Sequence, residues 1–169
     1  MSLFRVDMNR LIGIVLDPAD ELAQFRNVGT ARSTGVELEV QGRWTNGVRA
    51  RGSLAWEDSE NRKEDARLPN SPKHLLKVGL TVPVAGRFDL SGQVRYESER
   101  RSLEGETLGS WLAADVHMTT EPLFGNWRVS LHALNVFDEE NQAPGGLEHL
   151  QLGIPQPGRQ LRIGIEGLF

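Results

Sequence analysis

Along most of the chain, apolar and polar residues change places at every step. In residues 35–58, Val36, Leu38, Val40, Gly42 and Trp44 alternate with Glu37, Glu39, Gln41 and Arg43. After Thr45, Asn46 and Gly47 the pattern resumes, with Val48, Ala50, Gly52, Leu54 and Trp56 set against Arg49, Arg51, Ser53 and Glu57. A period of two belongs to strands, whose successive side chains leave on opposite faces, so the stretch predicts a hairpin with one apolar and one charged face. A three-residue loop commonly places Gly in a left-handed position, which suits Gly47 if Trp44 faces Val48. "RFDLSGQVRYE", "WRVSLHALNVF" and "RQLRIGIEGLF" repeat the alternation.

Carried through the chain, the pattern predicts an all-β, antiparallel up-and-down meander of about eight strands, at 3–16, 34–44, 48–58, 73–83, 87–98, 110–121, 127–137 and 158–169. No segment holds a helical apolar stripe with a cap at each end, so any helix is expected to be short and confined to a loop. Tight turns at Asn46-Gly47, at Gly86 within 83–87 and at Gly125 within 122–126 alternate with long polar connections at 17–33, 59–73, 98–109 and 138–158. A meander gathers all the tight turns at one end and all the long loops at the other, the asymmetry of an outer-membrane barrel.

Alternation alone leaves two architectures open. In a soluble sandwich, or an eight-stranded barrel holding a small apolar ligand, the apolar face is the core. In a membrane barrel the apolar face meets lipid and the polar face a wet lumen. Strand length favours the second, since several strands approach the ~9–11 residues that cross a bilayer at a tilt. So do aromatics near strand ends, where an interfacial girdle belongs: Trp44, Trp56, Phe88, Tyr96, Trp111, Trp127, Phe137 and Phe169. On this reading Val36, Leu38, Val40, Val48, Leu54, Leu80, Leu90, Val94, Val129, Leu131, Leu161, Ile163 and Ile165 point outward. Glu39, Arg51, Lys77, Gln93, Arg95, Asp115, His132 and Arg162 then line the concave side.

Composition narrows function without changing the fold. The 169 residues suit one domain, and a net charge of -4 gives no reason to expect nucleic acid. A chain without cysteine has no disulfide framework or thiolate metal site. No apolar run approaches the ~20 residues of a membrane helix, and the N-terminus has no signal-peptide pattern. Phosphate-loop, zincin, nucleophile-elbow and EF-hand motifs are missing, so neither an enzyme nor a cofactor is expected. If the 122–126 turn pairs Glu121 with Asn126, Asp115 faces His132 with His117 one pair along, a weak metal-ligand candidate. The acidic run Glu57, Asp58, Glu60, Glu64 and Asp65, interleaved with Arg62, Lys63 and Arg67, reads as a solvated loop.

Five stretches occur in an informative order: "NVGTARSTGVELEV" at 27–40, "LPNSPKHLLKVGLTV" at 68–82, "LNVFDEEN" at 134–141, "PGRQLRIGIEGLF" at 157–169 and the terminal Phe169. Together they resemble the C-terminal part of TonB-dependent outer-membrane receptors. The motif positions are Gly35, Glu37, Pro72, Asn135, Phe137, Asp138, Gly158 and Arg159. Physically, Gly35 is expected to open a strand after a loop, Pro69 and Pro72 to stiffen one, and Asn135 and Asp138 to close a local turn. The resemblance implies a segment of a large transmembrane β-barrel spanning 1–169, lacking its plug and N-terminal strands through truncation of a longer chain. It further implies transport of a metal chelate or another scarce nutrient, energised by the TonB complex through the plug. The implied partners are outer-membrane lipid, a small-molecule substrate and the barrel-assembly machinery, which would read Phe169.

Overall fold

The computed structural model describes residues 1–20, 22–63, 65–123, 126–146 and 149–167, leaving aside the Val28 side chain. Gly125, Phe169 and Glu64, singled out in the sequence, lie outside the described residues. The strands are β1 (Ser2–Leu16), β2 (Ala23–Arg43), β3 (Arg49–Asn61), β4 (Ala66–Arg67), β5 (His74–Val84), β6 (Phe88–Glu97), β7 (Arg100–Arg101), β8 (Thr107–Leu108), β9 (Trp111–Thr120), β10 (Trp127–Leu134), β11 (Gln142–Pro144), β12 (Gly153–Pro155) and β13 (Gln160–Gly167). Eight of them form one antiparallel meander in the order β1-β2-β3-β5-β6-β9-β10-β13, as the alternation predicts. The additional short strands lie in the long connections: β4 extends the sheet beside β3, while β7–β8 and β11–β12 make separate two-stranded ladders.

The tight ends follow their turn chemistry. Trp44 N donates to Val48 O at 2.9 Å, and Gly47 takes φ 84°. At the next turn Ala85 and Gly86 are both left-handed, φ 51° and 61°, and Arg87 N closes back on Val84 O at 3.2 Å.

The 17–33 connection is not the expected loop. β2 begins at Ala23 and pairs with β1 until Leu16 meets Ala23, so only the turn closed by Asp17 N on Leu22 O, at 2.9 Å, separates them. The register shifts twice between Met8 and Ile12, beside the positive φ of Arg10 and Gly29. Such an irregularity breaks the simple apolar period, which is why the sequence reads as loop. At 21 residues and about 3.3 Å per residue, β2 outreaches any bilayer crossing.

Pairing assigns the faces. Leu38 pairs with Leu54, Leu54 with Leu76, Leu76 with Tyr96 and Tyr96 with Leu112, all on one face. Val82–Leu90–Met118–Leu131–Ile163 forms a second apolar row. This face is not a core, for Val40 is 60% exposed and Leu161 81%. Among the described residues the buried apolar set is only Ala31, Leu108, Ala113 and Ala114. A sandwich would bury the leucines and valines; this sheet presents them.

The apolar outer face stops abruptly in the first hairpin. After Leu3 pairs with Val36, the next outward pairs are Arg5 with Thr34 and Asp7 with Arg32. Arg5 and Arg32 both bond the Asp7 carboxylate, at 3.1 and 2.7 Å. The opposite face there carries Phe4, Val6 and Met8 across from Gly35, Ser33 and Ala31.

Gly35 therefore does not open a strand. It sits within β2 because Phe4 and the β3 backbone crowd it: a Cβ would lie 2.5 Å from both Phe4 Cζ and Trp56 O. Gly35→Val should destabilise the assembled barrel by about 1–3 kcal/mol, read as an earlier heat-induced mobility shift on gels. Gly52→Ala is the control, since its nearest neighbour, Lys77 O, is 4.0 Å away. Equal shifts would refute the crowding argument.

Candidate functional site

The polar face is the concave one. Arg49 reaches over β5 to Asp89 at 3.1 Å, and Arg51 Nη2 approaches Gln93 Oε1 at 3.4 Å. Side chains two strands apart meet in this way where a sheet curls towards them. Gly79 leaves room for this reach, since a Cβ there would lie 3.3 Å from Arg51 Nε. The resulting trough, about 720 Å³, runs from Gln41 and Arg43 to His117 and His132. Glu39, Arg51, Lys77, Gln93, Arg95, Asp115, His132 and Arg162 all share this face by register.

Asp115 is the buried node of the wall. Its Oδ2 accepts from Arg95 Nη2 at 3.0 Å and its Oδ1 from Asn135 N at 2.9 Å. Arg95 also lies 5.6 Å from the centroid of the Trp111 ring. Trp111 is thus lumenal, paired with Glu97, and not part of the lipid-facing girdle expected from its position near a strand end. Trp44, Trp56, Phe88, Tyr96 and Trp127 do stand on the apolar face by register and alternation. Phe88 and Tyr96 are eight residues apart, about 26 Å along the strand and about 18–21 Å across the membrane at the tilt of outer-membrane barrels, within their ~25 Å apolar band. Phe137, exposed, lies just past β10.

The expected Asp115–His132 pairing is corrected by two residues. His117 pairs directly with His132, because the turn closes on a Leu123–Trp127 bridge and Val129 N bonds the Thr120 hydroxyl at 3.0 Å. The three candidates therefore separate: Asp115 goes to Arg95 and Asn135, while the two imidazoles meet each other. Among the described residues no group of three or more His, Cys, Asp or Glu side chains is placed to hold a metal ion.

Four family-motif positions do converge. Asn135 and Asp138 adopt left-handed φ of 47° and 57°, and Asp138 N closes on Asn135 O at 2.9 Å. The Asn135 side chain bonds Glu139 through both its oxygen and its nitrogen. Asp138 Oδ1 accepts from Arg159 N at 2.7 Å, and a Cβ on Gly158 would meet that same oxygen at 2.7 Å. The two stretches thus form one joint, fixing where β13 starts beside β10. Glu37 faces Ala55 on the polar side, and Pro72 lies in the connection ahead of β5. Asn46 accepts Val48 N at 3.2 Å within the first tight turn.

The long loops are tied together by groups that no periodicity marks. Asn70 N donates to Arg101 O at 2.9 Å, and Arg67 Nη2 to Ser71 O and Glu99 O at 2.8 and 3.3 Å. Arg100, buried, donates from Nη2 to Gln142 O at 2.9 Å and Asn141 Oδ1 at 3.3 Å, and pairs with Glu97 at 3.1 Å. Its Nε is buried without a partner. A space of about 310 Å³ between these loops is lined by Arg67, Lys73, Arg100 and Arg101, with Glu99 and Thr107. In the acidic run, Glu57 accepts from the Ser33 and Ser59 hydroxyls and Asp58 pairs with Lys73 at 3.2 Å.

A curled, open, all-antiparallel sheet with its leucines and valines outside and the Arg49–Asp89 and Arg95–Asp115 pairs inside is a piece of transmembrane barrel wall. The model of the TonB dependent receptor-like β-barrel family matches residues 1–136, and the chain belongs to that family. It is a barrel segment of the outer membrane of Gram-negative bacteria. No curated protein matches it. Among solved structures it is similar to the copper transporter OprC, at 18% identity and a TM-score of 0.77 over 99% of this chain and 28% of that one. A variant of the ferric enterobactin receptor PfeA of Pseudomonas aeruginosa gives 19% and 0.75 over 96% and 27%. The ferric-catecholate import receptor Fiu of E. coli K12 gives 17% and 0.73 over 96% and 24%. At these identities the likeness is one of fold, and the chain spans about a quarter of the length of each protein.

Proposed function

We propose that the chain is the C-terminal portion of an active-transport receptor that takes up an anionic metal chelate of the siderophore kind. Plug and remaining strands are supplied by the rest of the receptor, and TonB energises transport through the plug. Lipid covers the apolar face, and the barrel-assembly machinery reads the last strand with its terminal Phe169. The observation that carries the substrate class is the space between the loops lined by Arg67, Lys73, Arg100 and Arg101: three of these cations already face Glu99, Asp58 and Glu97, and Arg101 has no ion pair among the described residues. Guanidinium groups bond chelate oxygens through charge-assisted contacts, and a concentration of one charge sign draws in the opposite one. Receptors for ferric catecholates and enterobactin among the similar folds agree with this reading.

The test is uptake by the complete receptor of a ferric tris-catecholate, which is anionic, beside a neutral ferric hydroxamate. Lys73→Glu and Arg101→Glu together should lower catecholate uptake at least about tenfold with normal surface assembly. Unchanged uptake, or transport of the neutral chelate alone, would rule out the anionic class.

A further inference from the structure

His117 and His132 occupy directly paired positions on β9 and β10, half-buried on the trough wall. Their Nδ1 atoms are 2.7 Å apart, with ring centroids at 4.9 Å and planes inclined by 67°. In the metal-free protein this contact is a hydrogen bond, one nitrogen bearing the proton and the other a lone pair. Both nitrogens sit on the trough wall, and turning each ring by about 35–45° off the line between them would bring both lone pairs onto one ion. Two imidazoles bound to one ion at about 2.0–2.1 Å, with an angle of about 90–109° between them, hold their nitrogens about 2.8–3.4 Å apart. The observed 2.7 Å lies just below that range, so the same ring turn that redirects the lone pairs also opens the separation a chelated ion needs.

The surroundings permit this exchange of proton for metal. In the same row, His117 pairs with Ser91 and His132 with Arg162. The Arg162 guanidinium is engaged with Gln160 Oε1, to which its Nε donates at 3.1 Å. The trough beside the imidazoles gives water access to the remaining coordination positions.

The geometry points to a cross-strand bis-imidazole clip on the lumen wall that binds one borderline divalent transition ion, Cu(II) most tightly, through His117 Nδ1 and His132 Nδ1. Imidazole suits such ions, and divalent affinity peaks at copper. Binding releases the shared proton to water and requires no redox step. The inference rests on the barrel wall and is independent of the substrate class proposed for the loops.

Cu(II) alone, at less than one equivalent, is the probe, added to the complete receptor in detergent and read by electron paramagnetic resonance and titration. The expected spectrum shows two equivalent-class nitrogen couplings. His117→Gln and His132→Gln should each remove one and weaken binding at least about tenfold, while His74→Gln and His149→Gln change neither. Heat-modifiable mobility, read in parallel, shows whether each variant is assembled. If His132→Gln disturbs assembly, His117→Gln decides alone, since either loss breaks the chelate. An assembled His117→Gln receptor with the wild-type spectrum and affinity overturns the assignment, as does a loss equally large in the His74 or His149 controls.

Discussion

Arginine placed on the outer face should prevent the barrel from assembling, and arginine one residue away should not. Leu54, Leu90 and Leu131 stand on the exposed apolar face, where a cation near the bilayer midplane costs about 2–4 kcal/mol and less towards the interfaces. Ser53, Ser91 and Ser130 lie next to them in the chain on the trough side, paired with Lys77, His117 and Thr119. The measurement is surface-assembled receptor for Leu54→Arg, Leu90→Arg and Leu131→Arg beside Ser53→Arg, Ser91→Arg and Ser130→Arg. A large loss in the leucine set with near-normal serine variants is the expected result. Equal assembly from both sets would mean the apolar face does not meet lipid.

The second large effect is expected at Asp115. Its side chain is 7% exposed and shared between Arg95 and Asn135 N, so Asp115→Ala leaves a guanidinium and a backbone donor without their acceptor. Arg95 Nε is already buried without a partner, and the substitution adds to that deficit. The expected cost is about 2–3 kcal/mol, below the figure for a fully buried pair because Arg95 is partly solvated. Asp115→Asn should retain part of the stability by keeping an oxygen for Asn135 N. Adding Arg95→Met to Asp115→Ala should recover part of the loss by removing the orphaned charge. Thermal unfolding of the assembled barrel measures all three; additive losses in the double variant would show that the two side chains do not act as a pair.

The meander and its two faces were legible because both follow from a period of two and the positions of tight turns. The legibility survived an error: centring the 122–126 turn one residue too early shifted the register by two and misassigned the partner of His132, yet a shift of two returns every side chain to the same face. Trp111 was misread because closeness to a strand end does not distinguish the faces; its odd position, shared with Ala113 and Asp115, does. Gly35 was misread because its reason is Phe4, on another strand. The joint of Asp138 with Gly158 and Arg159 was visible only as two separate motifs, since sequence order does not show that the end of one strand meets the start of another. The loop arginines left no signal in advance. Arg67 and Arg100 bond carbonyl oxygens far away in the chain, and such contacts have neither period nor spacing.

Those arginine contacts make the long connecting segments interdependent. Residues 62–73, 98–109 and 138–158 share backbone acceptors through Arg67, Arg100 and Asn70, so each segment's conformation is partly written in its neighbours. Grafting one of them from a homologue would strand its arginine without a carbonyl, or a carbonyl without its arginine. The unit of exchange is the trio, and change in such a surface should proceed by replacing matched sets rather than single loops.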